Sequence, residues 1–157
     1  MIQRVQSLYL LFPFLFYLLY WLFGLSWYDK GYELIYSNGT FSNLDSLFLD
    51  ILFCVTSYIP FIIATICFIT VLMFKRRLIQ IKLAYISFLL SVFMSLYTIM
   101  YFCFTFQFLW SDMTSVAMKL LLCAAIINPF ICSFLIFLAI KRIKKDEDLI
   151  KSIDRIR

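Results

Sequence analysis

Four stretches of the chain run without an Asp, Glu, Lys or Arg: residues 5–28, 51–74, 83–111 and 120–140. A helix rises about 1.5 Å per residue and the hydrocarbon core of a bilayer is about 30 Å thick, so roughly 20 apolar residues cross it. All four stretches are long enough, and the pattern predicts four transmembrane helices. Phe, Leu and Ile fill them. Each favours insertion by about a few tenths of a kcal/mol, so no single substitution decides whether a span inserts. The third stretch is longer than it needs to be, which predicts a tilt or a last turn, residues 107–111, in the interface.

The first stretch follows Arg4 as a secretory leader would. It is too long for one and ends in Phe23-Gly24-Leu25-Ser26-Trp27 with no small-x-small cleavage pattern, so an uncleaved anchor is expected. Of the 14 basic residues, all but Lys30 and Lys119 fall on one side of a chain that threads back and forth four times. Asp29, Glu33, Asp45, Asp50 and Asp112 fall on the other. By the preference for positive charge inside, the basic side is cytosolic and both termini lie there. Trp27, Tyr28 and Trp110 then sit at the outer interface, where amphipathic rings are comfortable.

The outer loop, 29–50, carries the Asn38-Gly39 pair between short alternating stretches. A tight type I′ turn needs positive φ at both central positions, so residues 32–41 predict a small β-hairpin. Asn38-Gly39-Thr40 also matches a glycosylation acceptor, although turn chemistry explains it better. The connections near 75–82 and 112–119 are short and force antiparallel neighbours. The expected fold is all-α: one integral membrane domain, an up-down-up-down four-helix bundle with the outer hairpin and a cytosolic helical extension, 141–157. In that tail Glu147 with Lys151 and Lys144 with Asp148 are favourable i,i+4 pairs. Leu149, Ile153 and Ile156 line one side and call for cover from the membrane surface, the inner loop or a partner. Glu147 and Asp154 at seam positions argue against a coiled coil.

Composition narrows the chemistry. With 64% hydrophobic and only 15% charged residues, the chain cannot cover a water-facing surface. The net charge of +5 mostly reports topology, adds attraction to anionic inner-leaflet lipids, and is no sign of nucleic-acid binding. There is no histidine, so Ser-His, Cys-His and His-ligated metal or haem sites cannot be built. No Gly-rich phosphate loop occurs. No catalytic, cofactor or metal residues are expected. Cys54, Cys67, Cys103, Cys123 and Cys132 are scattered singly and read as small packing residues. No ionisable group lies within a span, which disfavours a proton-coupled carrier. A channel of several copies, lined by Ser, Thr, Tyr and Asn, stays open.

Two polar features stand out inside the spans. Ser87, Ser91 and Ser95 recur every fourth residue, a small-residue stripe that lets another helix approach and hydrogen-bond. On the fourth span Ala125, Asn128 and Cys132 repeat similarly, and Pro129 loosens the preceding turn. An unsatisfied amide is costly in hydrocarbon, so Asn128 should face protein. Spans three and four are expected to pack through these faces, the serines meeting carbonyls near residues 122–125.

The opening Met1-Ile2-Gln3-Arg4-Val5-Gln6-Ser7-Leu8-Tyr9-Leu10 and the closing stretch from Ile143 through Lys145-Asp146-Glu147-Asp148 to Ser152-Ile153-Asp154-Arg155 resemble the termini of a Bacteroidetes membrane-protein family, domain of unknown function 4293. The match covers roughly the first ten and last fifteen residues; between them the hydropathy layout agrees. The resemblance implies four spans and a bacterial inner-membrane location, and supplies no activity. Both ends fall on the expected cytosolic side. This motivates a docking surface made of residues 1–6 and 144–157, with Arg4 facing Asp146 or Glu147 and with Asp154 and Arg155 contributing. The expected function is a non-enzymatic interaction, scaffold or accessory subunit with a protein partner or a second copy. A small oligomeric channel or transporter is the alternative, and an intramembrane enzyme ranks third.

Overall fold

The long apolar runs become long helices. The computed structural model describes residues 2–37, 46–73 and 76–154. They form α1 (Ile2–Ser37), α2 (Ser46–Leu72), α3 (Arg77–Asp112) and α4 (Val116–Asp154). Each contains a window long and apolar enough to cross a membrane: Ser7–Leu25, Cys54–Leu72, Arg77–Cys103 and Val116–Leu149. A third or less of each window is buried, and the exposed faces carry Leu, Ile and Phe. Apolar side chains outside and every backbone group bonded within its own helix is what a hydrocarbon solvent demands.

Helix α1 packs along α2 and α4, α3 packs along α4 and less extensively α2, and α1 meets α3 across the middle. Phe14 stacks near Phe68 and Trp21 near Phe61, so residue numbers rise along α1 as they fall along α2. Phe88 and Tyr85 of α3 likewise meet Phe137 and Lys144 of α4 in reverse order. At the short α2–α3 connection the buried Gln80 amide donates to the Thr70 carbonyl at 3.2 Å. Pro13, Pro60 and Pro129 lie inside α1, α2 and α4, and all are buried. Each lacks the N–H that would bond the carbonyl four residues earlier. Seating the rings on the packed side keeps that irregular backbone away from lipid.

The expected hairpin is corrected. Residues 32–37 are the last turns of α1, and no strand occurs among the described residues. The reason is burial at helical spacing: Tyr28, Gly31 and Tyr32 turn one face toward α3, and a strand would send alternate residues to opposite faces. Asn38-Gly39 and the rest of 38–45 lie outside the described residues. The outer loop is therefore much shorter than 29–50, because α1 runs through Ser37 and α2 begins at Ser46. The inner connection shrinks too, since α3 begins at Arg77. Helix α4 continues unbroken to Asp154.

Candidate functional site

Two polar regions occupy opposite ends of the molecule. The first lies between α1 and α3. Tyr17, Tyr20, Gly24, Tyr28, Gly31 and Tyr32 follow one another at spacings of three, four and one residues, which keeps them on one side of α1. Opposite them α3 presents Ser91, Ser95, Thr98, Tyr101 and Thr105, all buried. The small side chains of α3 leave room for the rings of α1. Tyr17 and Ser91 share a hydrogen bond of 2.7 Å. The Tyr20 and Tyr28 hydroxyls bond each other, as do those of Tyr32 and Tyr97. Tyr101 donates to the Tyr28 carbonyl at 3.3 Å, its ring 4.5 Å from that of Tyr28. Gly31 makes this approach possible, since a Cβ there would stand 1.6 Å from the Tyr101 hydroxyl.

The remaining hydroxyls turn back on their own helix. Thr98 donates to the Met94 carbonyl at 2.7 Å and Thr105 to that of Tyr101 at 2.9 Å. Ser87 and Ser95 bond the carbonyls of Ala84 and Val92, at 2.9 and 2.7 Å. The serine stripe thus lies inside, but among the described residues none of its three hydroxyls bonds an α4 carbonyl. Across helices, Ser91 bonds Tyr17 of α1 and Ser87 meets the Cys67 thiol of α2. Asn128 also reaches α1: its amide donates to the Phe16 carbonyl at 3.2 Å, and its own oxygen accepts from the Cys132 thiol at 3.4 Å. Pro129 beside it is buried. The serines of α3 and the asparagine of α4 are brought together by a shared neighbour, α1.

The side chains that bond one another here are uncharged, and the Asp29 carboxylate lies close enough to act on Tyr32. Burial pushes the Tyr32 phenol up from its ordinary value, so it stays protonated at physiological pH. Among the described residues no group of three His, Cys, Asp or Glu could hold a metal. Cys67 and Cys132 are buried among core side chains, whereas Cys54 and Cys103 are exposed. What the arrangement does is bind α1 to α3 and α4 by bonds that close on themselves.

The second region is the opposite, basic end. Below it Leu10, Ala139 and Ile143 form an aliphatic cluster with Val71 and Ile81 packed against it. Above that, α3 and α4 part into a cleft of about 500 Å3 lined by Leu78, Ile81, Lys82, Lys144, Glu147 and Asp148. The Lys144 ammonium donates to the Tyr85 hydroxyl and sits 4.8 Å from the centre of its ring. Asp146 and Glu147 are half-buried, while Asp148 and Leu149 are exposed. The side chains of Arg4 and Asp154, and all of Arg155, lie outside the described residues, as does any Arg4 contact with Asp146 or Glu147.

Sequence reasoning missed the tyrosines of α1, although their spacing with Gly24 and Gly31 was there to be read. It also missed the cleft, whose two walls are far apart in the chain. No curated protein and no solved structure matches this sequence. A protein family described as "Domain of unknown function (DUF4293)" matches residues 2–156, nearly the whole chain. A match of that extent shows that the chain belongs to this family.

Proposed function

We propose that the protein is a multi-pass subunit of a bacterial inner membrane that works by interaction and not by catalysis. In this reading the four helices thread up-down-up-down and both termini face the cytosol. The support is the sorting of charge, because nearly all basic residues gather at the end where α1 begins and α4 leaves the apolar region. One observation carries the functional part: α4 runs on to Asp154 and exposes Asp148 and Leu149 at the basic end, whereas Tyr17, Tyr20 and Tyr32 bond hydroxyls inside the bundle. A surface left polar, charged and partly apolar at the end of a rigid helix suits a protein partner. A channel is less well supported, since within a single chain Tyr17 bonds Ser91 and Tyr32 bonds Tyr97 between α1 and α3, and Tyr20 bonds Tyr28 along α1.

Truncation after Lys145 tests this reading. The expected result is normal membrane insertion with loss of the proteins that co-purify from native membranes. Unchanged co-purification, or ion flux through liposomes containing the pure protein, would overturn it.

A further inference from the structure

We draw no further inference here: the strongest candidate, the cleft between α3 and α4 at the basic end, is lined by Lys82, Lys144, Glu147 and Asp148 with nothing in the structure to show what covers it, and Asp148 already belongs to the surface proposed for a partner.

Discussion

The two ends of this molecule use polar side chains in opposite ways. At the tyrosine end several buried or half-buried polar side chains are answered from within: Tyr17 by Ser91, Tyr20 by Tyr28, Tyr32 by Tyr97, Asn128 by the backbone of α1. At the basic end a mainly aliphatic cluster sits beside the buried Gln80, whose amide bonds the Thr70 carbonyl, and charged side chains line a surface cleft. Hydrocarbon offers no hydrogen bonds, so a polar group placed in it must find a protein partner, and doing so fixes which helix faces which. Groups at the water boundary are under no such constraint, because water can bond them. The difference separates the part of the sequence that specifies the bundle from the part that can act on something else.

Breaking the tyrosine end should cost the most at Gly31. In Gly31→Ala the new methyl group collides with the Tyr101 hydroxyl, and the ring must leave its place against Tyr28, Tyr32 and Phe102. Overpacking of this kind costs about 1–3 kcal/mol, offset in part by the ~1 kcal/mol that alanine gains over glycine in a helix. Thermal unfolding in detergent should show a clear loss for Gly31→Ala. Gly24→Ala should show none, because its methyl group would meet the Tyr20 ring at an ordinary 3.8 Å. Equal effects at the two glycines would mean that close approach at Gly31 is not what holds α1 to α3.

Alkaline pH offers a second way to separate the ends. The folded state raises the Tyr32 phenol, so its contribution is complete below the ordinary phenol value of about 10 and is lost as pH climbs through the raised one. Stability should be flat in this respect from neutrality to about pH 9 and fall above 10. A thermal midpoint whose fall above pH 10 is the same in Tyr32→Phe as in wild type would contradict this contribution of Tyr32.

The smallest expected effect is that of Tyr17→Phe. It removes one bond across the bundle, and Ser91 can turn to a carbonyl of its own helix as Ser87 and Ser95 already do. Polar bonds between membrane helices average about 0.6 kcal/mol, so a shift of that order is expected in the unfolding midpoint. A loss of several kcal/mol would mean that the hydroxyls act as one cooperative unit.

The four helices were legible because charge is excluded from the spans so strictly, and the sorting of Lys and Arg suggested which ends lie together. Half of the buried polar region was legible too. Ser87, Ser91 and Ser95 announced a face that another helix approaches, and Asn128 announced a need for a protein partner. What could not be read was the identity of that partner, because the period of a stripe says which residues face inward and not which helix they face. Tyrosine deepened the difficulty. By hydropathy it counts as another large ring, so nothing marked Tyr17 and Tyr32 as the α1 residues whose hydroxyls bond α3. The hairpin failed for a related reason: Asn38-Gly39 is a local signal, whereas residues 28–32 are held helical by contacts with α3 some seventy residues away. The cleft was invisible because its walls, at 78–82 and 144–148, meet only after α3 and α4 pack.

The division between the two ends is tested most directly by making one change at each and reading the same two quantities. Wild type, a Tyr17→Phe, Tyr97→Phe double variant and a chain ending at Lys145 would be purified in parallel from native membranes, each measured for unfolding midpoint and for co-purified protein. The expected result is a crossed pattern: the tyrosine variant unfolds earlier and keeps its partner, while the truncated chain unfolds as wild type and loses it. Loss of the partner from the tyrosine variant with its retention by the truncated chain would reverse the assignment of the two ends.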